Sequence, residues 1–299
     1  MNDLSNGAAW MGSRIIPIAE AAIPVTDWGL THSDIAYDVV PVWRGGFFRL
    51  DDYVARFMAS VGALRMDIGR DGDGVKTALT RMVAASGLRD SYVAMVAARG
   101  RNPVPGSRDP RDCANHFYAW CVPYVHIVKP EIAERGTSVW IAKRTRRIPA
   151  DSVDPTVKNY HWGDFTGGLF EAKDKGFETV LLLDHAGHVT EGPGFNAFAL
   201  FGDRIVTSDH GVLHGITRRT VLEMAAEAGL TVETRPLPLD EFLEADEVFL
   251  SSSGGGVIPV ARVDNRVFSN DAAGPVALDL RRRYFDWITR AEHRTDIAY

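Results

Sequence analysis

Cysteine is scarce in this chain: Cys113 and Cys121 are the whole complement in 299 residues. Two thiols are too few for a disulfide framework or a cysteine-rich zinc site, and both read as packed or idle in a reducing compartment. Long apolar runs are missing as well, since none reaches the ~18 residues needed to cross a bilayer. The opening MNDLSNGAAW has neither a basic start nor an apolar stretch, so no leader and a cytoplasmic location are expected. Positive charge is not in excess. The net charge of −6 argues against a nucleic-acid or anionic-membrane partner, and any anion site must be built locally. No GxGxxG stands between a strand and a helix, and the P-loop pattern is absent. His161, His185, His188, His210 and His214 are too scattered for a metal cluster or a Ser–His–Asp set.

What remains is an ordinary globular composition, 45% hydrophobic and 24% charged, in a chain long enough for two cores. Strands are expected at Ile15–Ile18, Tyr37–Trp43, Tyr92–Ala98 and Phe117–Ile127, where β-branched and aromatic residues gather. Leu50, Val54, Phe57, Met58, Val61 and Leu64 recur at helical spacing behind Asp51 and Asp52, and a second helix runs from about Gly74 to Ala85 with Gly87 as its stop. The stretch 100–112 is rich in Gly, Pro and Arg and reads as a loop. Strands at Val139–Ala142, Thr179–Leu183, Ala197–Phe201 and Glu247–Leu250 then alternate with helices over Asp164–Lys175 and from Thr217 to before Gly229. The expectation is an α+β chain of two domains rather than a doubly wound sheet: a small N-terminal α+β domain over 1–128, an interdomain loop at 129–136, and a larger C-terminal α/β domain over 137–299 that carries Lys158.

Four segments can carry chemistry. In Asp154-Pro-Thr-Val-Lys158-Asn-Tyr-His-Trp162-Gly-Asp164 a lysine sits between an apolar residue and a polar-aromatic cluster; buried, its amine is the kind that forms imines, although a lone lysine more often faces solvent. In Glu191-Gly-Pro-Gly-Phe-Asn196 glycines flank Pro193 and aim a carboxylate inward, where it can hold a pyridine nitrogen protonated; a turn glutamate is otherwise usually solvated. In Gly211-Val-Leu213-His-Gly215-Ile216-Thr217-Arg218 a glycine turn opens a helix, which suits a phosphate cup as well as an ordinary threonine cap. Ser251-Ser-Ser253-Gly-Gly-Gly256 follows a strand and suits a phosphate or carboxylate, or is simply a flexible loop. An imine-forming lysine, a carboxylate and two phosphate-binding turns together describe a pyridoxal 5'-phosphate site.

With these segments in order, the chain resembles the fold type IV pyridoxal-phosphate enzymes, the branched-chain and D-amino acid aminotransferase class, and within it the (R)-selective amine transaminases. The resemblance runs from about Gly7 to Tyr299 and includes Gly29-Leu-Thr-His32-Ser-Asp34-Ile-Ala-Tyr37-Asp-Val39 and Phe47-Phe-Arg-Leu-Asp-Asp52. It implies that Lys158 is the catalytic residue and carries the cofactor as a Schiff base. It further implies that Arg56, Ile216, Thr217 and Ser253 hold the phosphate, that Glu191 pairs with the ring nitrogen and that Leu213 packs on the ring. His32, Tyr37, Val39, Trp162, Ser252 and Gly254 would line the substrate pocket of a homodimer whose cofactor lies between the domains. The activity implied is a ping-pong transfer of an amino group from an (R)-amine, such as (R)-1-phenylethylamine, or a D-amino acid to a keto acid such as pyruvate. Branched-chain or D-amino acid aminotransferases and an aminodeoxychorismate-type lyase are the alternatives. Against the D-amino acid enzymes' arginine–x–histidine the chain has Arg99-Gly-Arg101. Where some (R)-amine transaminases carry a mobile arginine it has Pro105, so Arg108, or failing that Arg101, is the candidate for the acceptor carboxylate.

Overall fold

The computed structural model describes residues 3–299; Met1 and Asn2, the start of the segment read for a leader, lie outside it. The chain forms β1 (Ala8–Met11), β2 (Arg14–Pro17), α1 (Trp28–Thr31), β3 (Ile35–Trp43), β4 (Gly46–Phe48), α2 (Leu50–Ala63), α3 (Gly72–Ser86), β5 (Ser91–Arg101) and β6 (Ala114–Pro123). There follow α4 (Pro130–Arg135), β7 (Thr137–Ile141), α5 (Gly163–Asp174), β8 (Thr179–Leu181), β9 (Glu191–Gly192), β10 (Phe195–Phe201), β11 (Arg204–Thr207) and α6 (Ile216–Glu227). The chain ends through β12 (Thr231–Thr234), α7 (Leu239–Leu243), β13 (Glu247–Ser252), β14 (Gly256–Val263), β15 (Arg266–Val267), α8 (Pro275–Trp287) and β16 (Arg294–Asp296).

Contacts divide it into two compact units: residues up to 125 with 157–161 and 288–299, and residues 126–156 with 162–287. Lys158 therefore packs within the first unit, and the stretch read as an interdomain loop contains α4.

The first unit is built on an antiparallel seven-stranded sheet ordered β16-β4-β3-β5-β6-β1-β2. Alternation along its strands separates two faces. One is buried by α2 and α3, whose apolar stripes bring Phe57, Leu79 and Met82 to zero exposure; burying each such side chain contributes about 1.5–3 kcal/mol. Asp71 caps α3 by accepting from the Gly74 N–H, and Gly87 ends it at φ 74°. The stretch 100–112 departs from the loop reading at both ends. Gly100 and Arg101 extend β5 through a bulge, and 110–112 form a 3-10 turn. Gly100 has φ +80°, and a Cβ there would meet the Ala114 carbonyl at 1.9 Å, so glycine is what lets the strand continue, not what ends it.

The second unit has a nine-stranded sheet with the path β12-β11-β10-β13-β14-β7-β8, in which β11–β12, β14–β7 and β7–β8 are parallel and the other pairs antiparallel. Val139, Ile141, Leu181, Leu250, Ile258 and Val260 form its apolar core. Such mixing of local antiparallel hairpins with parallel crossovers is α+β architecture, as expected. Among the described residues no helix is long and apolar enough to cross a membrane, and no group of three metal-ligating side chains occurs.

Candidate active site

In the first unit the segment around Lys158 is stitched to β3 and α2. The Tyr37 N–H donates to the Lys158 carbonyl at 3.0 Å, and the Lys158 N–H donates to Ser60 Oγ at 3.3 Å. Lys158 Nζ lies 4.4 Å from the centroid of the Tyr37 ring, whose other neighbour is Tyr160 at 4.2 Å. The half-buried lysine thus rests on an aromatic face rather than on a carboxylate. Register places Tyr37, Val96 and Tyr118 in one row across β3, β5 and β6, and Val39, Ala94 and Trp120 in the next. Burial drives the Tyr92 and Tyr160 hydroxyls far above the usual phenol range, so these groups offer rings and neutral hydroxyls.

Arg56 lies on the helix-covered side of the same strand. Its Nε and Nη2 donate to both oxygens of the fully buried Asp38 at 2.8 and 2.7 Å. Burial alone would lower the Arg56 pKa, but Asp38 outweighs it and the value rises; the cation is permanent and its orientation fixed. His32 stacks on Trp28 at 4.5 Å and shares a 2.8 Å hydrogen bond with Thr31 Oγ1, on the exposed end of α1. Arg99 is buried and committed to Asp34 at 2.8 Å and to the Leu64 carbonyl at 2.7 Å. In the 102–112 loop Arg111 pairs with Asp109, while Arg101 and Arg108 are exposed.

In the second unit Glu191 is buried on β9. Its Oε1 accepts from Arg147 Nε and Nη2 at 3.2 and 3.1 Å, and its Oε2 accepts from the Leu213 N–H at 2.9 Å. Asn196 Nδ2 donates to the Leu213 carbonyl at 2.9 Å, so both peptide groups of Leu213 are pinned. Glycine is required nearby for space. A Cβ at Gly192 would meet the Val180 carbonyl at 2.3 Å, and one at Gly215 would meet Asn196 Oδ1 at 2.4 Å. Gly215, not Thr217, occupies the cap of α6. Thr217 lies inside the first turn, 3% exposed, and its Oγ1 is buried without a hydrogen-bond partner. That orphaned hydroxyl beside the unsatisfied N–H groups of a helix start fits a phosphate. Ser251 Oγ is likewise buried and unpartnered, and Ser252 Oγ donates to the Gly194 carbonyl at 2.8 Å while accepting from the Gly254 N–H at 3.1 Å. Gly254 accepts in turn from the Ile127 N–H at 2.8 Å, which fixes the Ser252–Gly254 turn. Trp162 caps α5 and packs edge-on against Phe165 at 5.4 Å.

Sequence reading did not single out Arg147, Asp38 and Asn196, which contact the candidate residues Glu191, Arg56 and Leu213 respectively. Arg147 stands in the run Lys143-Arg-Thr-Arg-Arg147, which looks like a solvated basic face; only its burial distinguishes it.

The second unit thus carries a buried, anchored carboxylate and an orphaned hydroxyl at a helix start, and the first unit a lysine on an aromatic bed. The family model for amino-transferase class IV matches residues 36–263, and the chain belongs to that family. It is 27% identical over 94% of its length to a putative branched-chain-amino-acid aminotransferase of Methanocaldococcus jannaschii, covering 96% of that protein. It is 29% identical over 90% of its length to the D-alanine aminotransferase of Bacillus licheniformis, covering 92%. The crystal structure of the T.th. branched-chain amino acid aminotransferase with pyridoxamine 5'-phosphate superposes with a TM-score of 0.90 at 27% identity, over 99% of this chain and 100% of that one. The protein is a pyridoxal-phosphate-dependent aminotransferase.

Proposed function

We propose that this aminotransferase takes the amino group of an (R)-amine such as (R)-1-phenylethylamine, or of a D-amino acid, and delivers it to a keto acid such as pyruvate. The observation that carries the reading is the sheet face beside Lys158. Its rows Ile35–Ala98–His116, Tyr37–Val96–Tyr118 and Val39–Ala94–Trp120 contain no arginine or lysine, and Arg99 at the strand end is already spent on Asp34. A donor carboxylate finds no cation on this face, which favours the (R)-amine over the D-amino acid as donor, and an aryl or alkyl amine finds rings and small alanines.

Bound pyridoxal phosphate supplies the electron sink for the charge that develops at the donor carbon. Lys158 would carry the cofactor and, once displaced by the donor amine, move the proton through its Nζ. Glu191 would hold the proton on the ring nitrogen, and Leu213, fixed by Glu191 and Asn196, would bear on the ring. The Ile216 and Thr217 N–H groups, the Thr217 hydroxyl and Ser253 would hold the phosphate, with Arg56 adding a cation. His32, Tyr37, Val39, Trp162, Ser252 and Gly254 would shape the donor pocket, and Arg108 would take the acceptor carboxylate. A homodimer is the assembly we expect.

A second reading, an amino acid aminotransferase of the branched-chain or D-alanine kind, is favoured by the names of the relatives. The deciding experiment is a panel of (R)- and (S)-1-phenylethylamine, D-alanine and L-leucine, each with pyruvate or 2-oxoglutarate, run on the native chain, Lys158→Ala and Arg108→Ala. We expect the (R)-amine to exceed the (S)-amine by on the order of 10²-fold in kcat/KM, Lys158→Ala to be inactive, and Arg108→Ala to raise KM for pyruvate more than for the amine. Preference for L-leucine with 2-oxoglutarate would overturn the amine reading, and pyruvate release without an acceptor would make the enzyme a lyase.

A further inference from the structure

Glu191 belongs to a buried cluster of three charges. Arg147 spans two carboxylates: its Nη1 donates to Asp164 Oδ2 at 2.6 Å, while its Nε and Nη2 donate to Glu191 Oε1 at 3.2 and 3.1 Å. All three side chains are at most 8% exposed. Asp164 is fixed in turn by the Ile148 N–H at 3.0 Å and the Phe165 N–H at 2.7 Å, and the Arg147 guanidinium lies 4.4 Å from the centroid of the Phe165 ring. Two anions therefore share one cation in a region closed to water. Buried charge is costly unless paired, so the contact with Arg147 bears directly on whether Glu191 keeps its charge.

We propose that Arg147, oriented by Asp164, is a positioning residue that decides where the cofactor's ring proton resides. The inference rests on the reading of Glu191 as the partner of the ring nitrogen. One proton is shared between Glu191 and that nitrogen: it sits either on nitrogen, leaving a carboxylate, or on the carboxylate, leaving a neutral ring. Arg147 is in direct contact with the carboxylate, so it stabilises the first arrangement. The fork onto Oε1 also leaves Oε2, with the Leu213 N–H, as the oxygen whose direction is set by the backbone. Arg147 touches neither substrate nor cofactor in this scheme; it acts through Glu191.

The test uses the loaded enzyme and nitrogen NMR of ring-labelled pyridoxal phosphate, which reports directly whether the ring nitrogen bears a proton. The native chain, Arg147→Met, Arg147→Lys and Glu191→Gln are compared at one neutral pH. Arg147→Met is expected to move the ring nitrogen to the neutral range and to lower kcat by on the order of 10²-fold, whereas Arg147→Lys keeps the charge and the protonated signal. With a deaza analogue of the cofactor, which lacks the ring nitrogen, the difference in kcat between the native chain and Arg147→Met should vanish. An unchanged nitrogen signal in Arg147→Met, or an equal loss with the deaza analogue, would overturn the proposal in favour of a purely structural arginine. Should Arg147→Met fail to fold, Arg147→Gln, which retains an N–H donor for Glu191, carries the same comparison. If Glu191→Gln itself leaves the signal unchanged, the underlying reading of Glu191 has failed; if Glu191→Gln changes it and the Arg147 variants do not, only the Arg147 inference has.

Discussion

Arg99, two residues before the end of β5, has four acceptors: both Asp34 oxygens at 2.8 and 3.1 Å, the Leu64 carbonyl at 2.7 Å and the Arg65 carbonyl at 3.4 Å. The last two follow directly on α2, at its C-cap and one residue beyond, where a cation meets the negative end of the helix dipole. Asp34 lies just after α1, two residues beyond His32, so the same guanidinium fixes the end of that segment. Arg99→Met should therefore cost about 2–3 kcal/mol in urea unfolding, less than the ~3–5 kcal/mol of a fully enclosed pair because the Asp34 side chain keeps 24% exposure. Arg99→Lys should recover little, since an ammonium cannot fork onto the carboxylate and reach the helix carbonyls at once. A loss under about 0.5 kcal/mol, the range of ordinary surface changes, would mean that Arg99 is not the anchor.

At the scale of elements, α5 does more than cover its sheet. Glu171 on its buried side accepts from the Lys143 N–H at 2.8 Å, the Arg144 N–H at 3.2 Å, and the Thr145 N–H and hydroxyl at 3.0 and 2.8 Å. One carboxylate thus folds the chain leaving β7 so that Arg147, two residues on, turns inward. Burial alone would raise the Glu171 pKa, but these donors outweigh it and hold the group below its usual 4.5. The linkage follows from that direction. A folded-state pKa below the unfolded value gives stability that is complete above the unfolded pKa and lost as pH falls through the folded one. Glu171→Gln should cost on the order of 1–3 kcal/mol at neutral pH, and its deficit against the native chain should shrink below about pH 4. A deficit that stays constant with pH would place the loss in packing rather than in the carboxylate.

The same segment shows what one-dimensional reading reaches. Helices α2 and α3 were legible because Leu50, Val54, Phe57 and Val61 repeat at helical spacing and Gly87 marks a stop, all local signals. Lys158, Glu191 and the Gly215–Thr217 turn could be singled out as candidates because each motif is contiguous. Arg147 was not, because its partners Glu191 and Asp164 lie 44 and 17 positions away and its neighbours are ordinary surface cations. Gly100 misled for a related reason: glycine signals a turn until a partner strand such as β6 passes close enough to demand it. The parallel pairs β7–β8 and β11–β12 have no sequence signature of their own, since a crossover is decided by packing.

For the whole molecule, the cofactor and self-association enter stability through mass action. Anything that binds the folded chain and not the unfolded one adds RT ln(1 + [L]/Kd), about 2.7 kcal/mol at a hundred times Kd. The orphaned Thr217 and Ser251 hydroxyls are local costs in the chain by itself, and in the proposed site the cofactor's phosphate would meet that of Thr217. Stripping the cofactor should therefore lower Tm by on the order of 5 °C, and Lys158→Ala, which keeps the phosphate and ring contacts but loses the covalent link, should show a smaller rise on adding the cofactor. If the folded species is a dimer, with twice the 32.9 kDa of the chain, Tm should also climb with chain concentration at saturating cofactor. Calorimetry at two chain concentrations, with and without pyridoxal phosphate, separates the two linkages. A Tm indifferent to the cofactor would remove the phosphate reading of Thr217, and one indifferent to concentration would remove the dimer.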